Sequence, residues 1–592
     1  SHHHHKVKDD CQPAQIETTQ RKTQDPLRAR SEDEKTYHPP WTPSAYTAFK
    51  AFVSARLCAA IWSNVSDCDE VFNYWEPMHY LMHGWGFQTW EYSPQYAIRS
   101  YAYLWLHILP LRMYSFVLQA NRVFQFYFLR CVLAFSCAMC EIYFYRAVCR
   151  NFGANTGRLT LVFLLFSTGM FISCAAFLPS SFAMYMTLIF MAAWFMGHYQ
   201  VAVLAVAASA IVGWPFAAAL GIPLAFDLVI RRKKYLFFIK WSLISATICL
   251  VPLVWVDTKY YGKLTITPLN ILWYNVFTSH GPNIYGVEPW HFYFLNGFLN
   301  FNMAFPMALM SLPVLLFLNH MLKQCSKPVP GWLSLASMYI WIIIFFTRPH
   351  KEERFLFPIY PLFALGAAIT MDYIQKLFSY LRKMRRGHHY TEGSNWLSLL
   401  CVIIFMSLSV SRTLSLYHGY HAPLDVYVEL NKVAANPKIH TLTPDKDVNV
   451  CVGKEWYRFP SSFFLPDERW HLRFIQSEFK GQLPKPYQKG PDATTIIPSY
   501  MNDMNKEEPS RYINVTRCHY LVDLDLPEET ELEPRYAKRH KDWKVVATAK
   551  FLHTPKSHRL LRAFYIPWVS EKYNTIVDYN ILRTTRTRRP PK

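Results

Sequence analysis

The sequence predicts a polytopic α-helical membrane protein that ends in a small α/β domain. Hydrophobic residues make up 52% of the 592 positions and charged residues only 17%, whereas a typical soluble domain has about 25% charged residues. The hydrophobic residues are gathered into runs close to the ~20 residues that a helix needs to cross a bilayer. The region 414–592 differs, because it is polar, contains many prolines and carries short β-type runs.

The apolar runs predict about eleven membrane-spanning helices. Some runs are short, which is tolerable where a helix packs inside a bundle. The stretch 99–118 contains a proline, a histidine and an arginine, and we interpret it as interfacial, although its length would also allow it to span. The predicted spans are 44–63, 121–146, 159–177, 181–198, 200–213, 215–230, 236–256, 297–319, 332–347, 355–375 and 396–413.

Basic loops predict the orientation, because cytosolic loops carry an excess of lysine and arginine. Placing three basic clusters in the cytosol puts the loops 64–120, 257–296 and 348–354 on the opposite side, together with the tail 414–592. The clusters are Arg146, Arg150 and Arg158; Arg231 to Lys234; and Lys376, Arg382, Lys383, Arg385 and Arg386.

This orientation divides the chain into three parts. Residues 1–40 lack an apolar period and are predicted to be a disordered cytosolic tail. Residues 41–413 form the multispanning domain, and 414–592 form a luminal α/β domain. The net charge of +21 fits either nucleic acid or an anionic membrane face, and the apolar runs favour the membrane.

The predicted luminal domain contains four β-type runs, two cysteines and a glycosylation sequon. We expect Cys451 and Cys518 to form a disulfide, because they are its only cysteines and the lumen is oxidising; two buried free thiols are the alternative. The sequon at Asn514 lies in the compartment where glycosylation occurs. The runs are Val448–Val452, Tyr520–Leu524, Trp543–Ala547 and Leu560–Ile566.

An unusual acidic and aromatic segment follows the first predicted span. It contains Asp67, Cys68, Asp69 and Glu70, and it continues through aromatic residues to Arg99. A carboxylate can act as a general base on a hydroxyl, and aromatic rings beside carboxylates suit a sugar. The alternatives are a solvated helix-cap cluster and, more weakly, a metal site at the Asp-Cys-Asp triplet.

Two further luminal loops carry polar residues in an apolar context. Arg348 to Phe355 is mostly charged, and arginine and lysine are the residues that hold phosphate; the alternative is an interfacial belt of Glu–Arg pairs. The loop Tyr260–Trp290 is rich in Gly, Pro, Asn and aromatic residues. Loops of that length are usually functional; the alternative is an extracytoplasmic cap without chemistry.

Taken together, these segments resemble glycosyltransferase family 22 of the multispanning C-type superfamily. The resemblance covers residues from about 40 to 580. It is strongest to the endoplasmic-reticulum α-1,2-mannosyltransferases that use dolichyl phosphate mannose. The stretches that carry it are Asp67–Arg99, Tyr260–Trp290, His350–Phe355 and Val450–Pro460.

The resemblance implies a fold and a reaction. The fold is that of a C-type glycosyltransferase with a luminal active site in the endoplasmic-reticulum membrane. Mannose is expected to move from dolichyl phosphate mannose to a dolichyl-diphosphate oligosaccharide, with inversion, at two steps on different arms. Neither a metal nor another cofactor is expected, because the phosphodiester leaving group departs readily.

The resemblance also implies roles for residues. Asp69 and Glu70 match the family's acidic pair, and we prefer Asp69 as the base. The donor phosphate is assigned to His350, Lys351, Arg354 and, more weakly, Arg99. By position rather than motif, the acceptor is assigned to His280, Tyr285, Glu288 and Trp290.

Three other functions compete with this interpretation. One is a related mannosyltransferase that forms α-1,6 linkages or acts on a GPI anchor. A polytopic transporter would place ionisable groups at the bilayer midplane, whereas here charges gather at span ends. A catalytically silent scaffold conflicts with the intact acidic loop and His-Lys-Glu-Glu-Arg-Phe motif.

Overall fold

Long apolar helices build the N-terminal two thirds of the protein. The structure is a computed structural model that describes residues 40–117, 121–278, 282–322, 326–382 and 389–586. The predicted tail 1–40, apart from residue 40, and the basic residues Lys383, Arg385 and Arg386 lie outside these ranges. Five helical segments are long and apolar enough to cross a membrane: Arg122–Phe152, Pro179–Met196, Tyr235–Tyr261, Glu353–Leu381 and Tyr390–Tyr420.

Shorter helices complete the bundle. The predicted first span is the helix Ala45–Trp62, and the stretch interpreted as interfacial is the helix Tyr101–Val117, with Pro110 inside it. The predicted spans 200–213 and 215–230 are broken into π-helical and 3₁₀ turns around Trp214. The other shorter helices include Ala154–Phe166, Thr168–Ser173, Tyr199–Ala208, Thr267–Phe277, Phe292–Phe301, Ala304–Leu309, Ser311–Met321, Gly331–Phe346 and Ala422–Ala435.

The C-terminal region forms a five-stranded mixed sheet. The strands of the whole chain are β1 (Phe87–Gln88), β2 (Val448–Val452), β3 (Trp470–Phe474), β4 (Lys485–Pro486), β5 (Tyr520–Leu524), β6 (Trp543–Leu552) and β7 (Ile576–Thr584). The sheet order is β3-β2-β5-β7-β6, with β2 parallel to β3 and β5 and with β7 antiparallel to β5 and β6.

Three of the four predicted strand runs are strands, and the fourth is not. Leu560–Ile566 was expected to be a strand, but it begins within the helix Arg559–Ala563. The imidazole of His558 caps this helix, because its Nδ1 accepts from the backbone amides of Leu560 and Leu561 at 3.3 and 3.4 Å. The place beside β6 is taken by β7, which the sequence analysis had not recognised.

The two cysteines of this domain are joined. Cys451 in β2 and Cys518 just before β5 form a disulfide with a Cα–Cα separation of 5.8 Å. Parallel pairing of β2 with β5 brings the two residues together. The sequon residue Asn514 is exposed, and its side chain accepts from the backbone amide of Thr516 at 3.0 Å.

We expect removal of this disulfide to destabilise the C-terminal domain. Cys451→Ala with Cys518→Ala opens a loop with a sequence separation of 67 residues. Loss of such a cross-link typically costs about 2–5 kcal/mol in the free energy of unfolding. Denaturant unfolding of the purified protein measures the change, with Cys401→Ala, at a buried free thiol, as the control. Alkylation of both thiols in the native, non-reduced protein would contradict the cross-link.

The loop after the first helix is packed against the C-terminal domain. β1 pairs antiparallel with β4, and the buried carboxylate of Glu76 accepts from the amide of Ser462 at 2.6 Å and from its hydroxyl at 2.8 Å. The rings of Tyr80 and Tyr487 stack with centroids 4.0 Å apart. This packing places the acidic loop next to the C-terminal domain, so that both border the same cavity.

Candidate active site

The acidic pair lies at the start of a helix that contains a π-helical turn. Residues Cys68–Glu70 form the first α-helical turn, Val71–Trp75 are π-helical, and Glu76–His83 are α-helical again. The carboxylate of Asp67 caps the start by accepting from the amide of Asp69 at 2.9 Å. π-Helical turns are frequent at functional sites, because they re-aim side chains.

The two acids point to different surroundings. Asp69 lines a cavity and keeps 39% of its side chain exposed. Glu70 is only 5% exposed, and its carboxylate accepts from the indole of Trp75 at 3.1 Å and from the amide of Phe177 at 3.0 Å. Burial raises the pKa of Glu70 to about 7. Asp69 therefore faces the space where a substrate fits, whereas Glu70 braces the helix against the bundle.

Arg354 lies at the centre of an ion-pair cluster. Its guanidinium contacts Asp67 at 2.6 Å and Asp69 at 2.9 Å, and it also pairs with Glu352. The 3₁₀ turn Glu353–Ile359 positions it in front of the acidic loop. Two loops that are almost 300 residues apart in sequence thus meet at one guanidinium.

Burial sets the protonation of this cluster. It raises the pKa of Asp69 and of Glu352, since desolvation outweighs the attraction of Arg354, and the neighbouring carboxylates raise these pKa values further. Carboxylates with raised pKa values are more basic than ordinary ones, as a general base requires.

His350 reaches the cavity beside this cluster. Its Nδ1 lies 2.9 Å from the carbonyl oxygen of Gly286, so Nδ1 carries the proton in that contact. Burial lowers the pKa of His350, and neutral His350 then offers Nε2 as an acceptor, 3.8 Å from Glu352. Donation from Nε2 to a phosphate requires the imidazolium form.

The remaining predicted phosphate contacts are placed differently. Arg99 lines the cavity and pairs with Glu91. Lys351 is only 6% exposed, and its ammonium group donates to the carbonyl oxygens of Arg348 and Glu288. Lys351 therefore ties its own loop to the loop that carries Glu288. Arg348, in the same loop as Lys351, lines the cavity.

The cavity has a volume of about 440 Å³ and two kinds of wall. One wall is apolar and comes from the helical bundle. The other is aromatic and polar and includes the C-terminal domain. The apolar wall contains Leu178, Trp214, Phe216, Ile344 and Phe345; the polar wall contains Trp90, Tyr274, Asn275, Tyr285, Trp456, Phe479, Gln482 and Asn505.

Only part of the predicted acceptor set reaches the cavity. Tyr285 lines it, and its hydroxyl accepts from the indole of Trp90 at 2.7 Å. Glu288 and Trp290 lie on the exposed outer part of their loop, with Trp290 73% exposed. His280 lies outside the residues that the structure describes.

Several cavity residues were not recognised as site residues from the sequence. Glu352 and Arg348 stand in the charged loop that was singled out, and Trp456 stands in the Val450–Pro460 stretch. Phe479 and Asn505 have no motif that marks them. They reach the cavity because the C-terminal domain folds back over it, with the rings of Trp456 and Phe72 6.0 Å apart.

The Asp-Cys-Asp triplet has the donor atoms of a small cation site. Those of Asp67, Cys68 and Asp69 lie within 4.8 Å of one another. The guanidinium of Arg354, however, already bridges the two carboxylates. The positive charge between these acids is therefore supplied by the protein.

Comparison with known proteins gives consistent matches across the chain. A sequence model of the Alg9-like mannosyltransferase family matches residues 47–466. The chain is 56% identical over 551 residues to mouse alpha-1,2-mannosyltransferase ALG9, covering 93% of this chain and 90% of that protein. It is 47% identical over 558 residues to the Drosophila melanogaster protein of that name, covering 93% and 89%. Apo ArnT from Cupriavidus metallidurans aligns at 14% identity with a TM-score of 0.47, covering 90% and 98%.

Proposed function

Because the chain belongs to the Alg9-like mannosyltransferase family, we propose that it moves mannose from dolichyl phosphate mannose to a lipid-linked oligosaccharide. The chain is a glycosyltransferase, and its activity is that of an α-1,2-mannosyltransferase. The position of Asp69, in the wall of a cavity that joins an apolar face to a polar one, is the observation that carries the mechanism.

The two walls fit the two parts of a lipid-linked sugar. The bundle wall suits a polyprenyl chain, because it is apolar and comes from the helical bundle, with Ile344 and Phe345 in the apolar helix Gly331–Phe346. The polar wall suits saccharides, since rings cover C–H faces and amides or carboxylates bind hydroxyls. The proposed location is the endoplasmic-reticulum membrane, with the cavity and the C-terminal domain on the luminal side.

The proposed reaction is a single displacement. Asp69 takes the proton from an acceptor hydroxyl, whose oxygen forms a bond to C1 of mannose while the bond from C1 to the phosphate oxygen breaks. Dolichyl phosphate leaves with the bonding electrons, and the β-linked donor gives an α-linked product. No covalent intermediate, metal ion or other cofactor is needed.

Phosphate stabilisation is assigned to the cations of the cavity. Arg354 lies next to Asp69, and Arg348 and Arg99 line the same space, whereas His350 lines it too but joins the cations only as the imidazolium. Negative charge develops on the phosphate as the sugar leaves, so contacts there stabilise the transition state more than the ground state. The buried Lys351 is assigned the positioning of this loop rather than a phosphate contact.

The acceptor is proposed to lie against the C-terminal domain. Trp456 contacts Phe479 with ring centroids 4.7 Å apart, and the backbone amide of Gln482 donates to the side-chain oxygen of Asn505 at 3.2 Å. The hydroxyl of Tyr274 donates to Asp503 at 2.9 Å, which ties the long loop to this wall. The C-terminal domain would thus select the oligosaccharide arm.

We expect Trp456→Ala to raise the KM for the acceptor about tenfold, a loss of about 1.4 kcal/mol, with little change in the KM for the donor. Trp456→Phe should retain most of the affinity. Trp290→Ala is the matched control, because Trp290 was also predicted to bind acceptor but lies on the outer loop. If Trp290→Ala is impaired and Trp456→Ala is normal, the acceptor binds on the outer loop instead.

The proposed activity is tested by reconstitution. The purified protein is given dolichyl phosphate mannose with either defined lipid-linked oligosaccharides or a GPI-type lipid acceptor, and the products are digested with an α-1,2-mannosidase. We expect mannosidase-sensitive products at two steps, on different arms. Products that resist the enzyme, or transfer only to a GPI acceptor, would favour the related mannosyltransferase activities and refute this one.

A further inference from the structure

A short segment near the C terminus exposes an unusual amount of apolar surface. It consists of the helices Arg559–Ala563 and Val569–Tyr573 and the loop between them. Trp568 is 84% exposed and Leu560 67% exposed, and Ile566, Val569 and Tyr573 are exposed as well. Scattered exposed apolar residues are ordinary, but a local group of them marks an interaction surface.

This segment is fastened to the last apolar helix, Tyr390–Tyr420. The amide of Tyr565 donates to the carbonyl oxygen of Ser411 at 3.1 Å, and the hydroxyl of Ser411 donates to the carbonyl oxygen of Tyr565 at 2.9 Å. The guanidinium of Arg412 donates to the carbonyl oxygen of Ala563 at 3.1 Å. These hydrogen bonds therefore fix the position of the segment along the axis of this helix.

The helix itself indicates where the membrane surface lies. Exposed apolar side chains follow it from Trp396, through Ile403 and Val410, to Tyr417. At 1.5 Å per residue this distance is ~32 Å, close to the ~30 Å hydrocarbon core of a bilayer. Tryptophan and tyrosine are the residues that mark the two edges. Ser411 then lies ~9 Å inside the edge at Tyr417.

We propose that the segment 559–573 is an interfacial anchor that inserts Leu560, Ile566 and Trp568 into the membrane leaflet on the side of the C-terminal domain. Its hydrogen bonds reach a depth where water is scarce, and there they provide partners for the hydroxyl of Ser411 and for one terminal nitrogen of Arg412, since polar groups in a bilayer need partners within the protein. Trp568 adopts a backbone φ of +66°, which a non-glycine residue adopts only where its surroundings impose it.

The charged residues at the ends of the segment also fit binding to a membrane surface. Arg559 and Lys572 are exposed beside the apolar side chains, and such cations reach lipid phosphates while their stems stay in apolar surroundings. β7 starts at Ile576, directly after the segment, and Leu552 at the end of β6 packs against Gly419. The anchor therefore holds the edge of the sheet at the membrane and fixes the domain above the cavity.

Photo-crosslinking in a bilayer tests this proposal. The full-length protein carrying Trp568→p-benzoylphenylalanine, or the same change at Ile566, is reconstituted in phosphatidylcholine nanodiscs and irradiated. The control is Val545→p-benzoylphenylalanine in β6, because Val545 is also exposed, at 42%, but lies seven residues from Leu552, ~23 Å along the strand. Mass spectrometry measures lipid adducts on each labelled peptide.

The expected result is a lipid adduct at positions 568 and 566 with a yield at least tenfold above that at 545. Equal yields at all three positions would overturn the anchor. A crosslinked dimer as the main product would overturn it too, because a second copy of the chain would then cover the surface. The aromatic replacement keeps a ring at position 568, and Ile566 gives an independent reading if one variant does not fold.

Discussion

Replacing Asp69 by Asn should lower turnover by about 10²–10⁴-fold, the range typical of a missing general base. The substitution preserves the shape of the side chain and removes its ability to take a proton. Asp69 lies in the cavity wall, 2.9 Å from Arg354, so the donor should still bind. Turnover at saturating donor and acceptor, together with donor affinity, measures the effect.

The neighbouring acid provides the matched control. Glu70→Gln changes a residue that is buried and bonded to Trp75 and Phe177, so any loss should follow protein stability rather than chemistry. Thermal unfolding of both variants separates the two causes. Normal turnover of Asp69→Asn with loss of activity in stably folded Glu70→Gln would reverse the assignment.

The pH dependence of turnover provides a second test of Asp69 as the general base. Burial raises its pKa in the folded protein above the ordinary value of about 3.9. A general base works only when ionised, so turnover should fall as the pH decreases through this raised pKa. Protonation of such a carboxyl favours the folded state, since the unfolded chain holds the proton less tightly. The fall in turnover at acid pH should therefore not be accompanied by unfolding caused by protonation of Asp69. The Asp69→Asn variant should lack this fall in turnover.

Arg354→Ala should lower turnover at saturating donor by about 10²-fold or more, as for loss of a contact that stabilises developing charge. The guanidinium lies beside the proposed position of the donor phosphate, and it pairs with Asp67, Asp69 and Glu352. Arg354→Lys should also be impaired, because an ammonium group lacks the planar fork that bridges several oxygens. The acid limb of the pH profile should move to higher pH in Arg354→Ala, because Asp69 then loses the neighbouring positive charge that lowers its pKa.

A surface ion pair is the control for this arginine. Arg586 contacts Asp542 at 3.3 Å in the C-terminal domain, with both side chains exposed, and exposed pairs contribute at most about 1 kcal/mol. Arg586→Ala should therefore keep near-normal turnover. Wild-type rates from well-folded Arg354→Ala and Arg354→Lys would end the assignment of Arg354 to the phosphate and leave it a purely structural ion pair.

Much of the molecule follows from local sequence. Apolar runs predict long helices because a bilayer demands ~20 apolar residues in succession, and the five longest apolar helical segments each overlap a predicted span. The runs at Val448, Tyr520 and Trp543 are strands, since their apolar and β-branched pattern is local. The joined pair Cys451 and Cys518 follows from a count of two cysteines in a domain that the predicted topology assigns to an oxidising compartment.

Other features needed the tertiary structure, because they depend on contacts between distant parts of the chain. Asp69 and Glu70 are adjacent and chemically alike, yet the helix that carries them directs one to the cavity and the other to Phe177. Sequence spacing likewise gives no sign that Arg354 bridges Asp67 and Asp69. The aromatic wall at Trp456 arises only when the sheet packs on the first loop. Local pattern thus determined the elements and the segments that carry polar and charged side chains, whereas burial and non-local pairing decided which of these side chains faces the cavity.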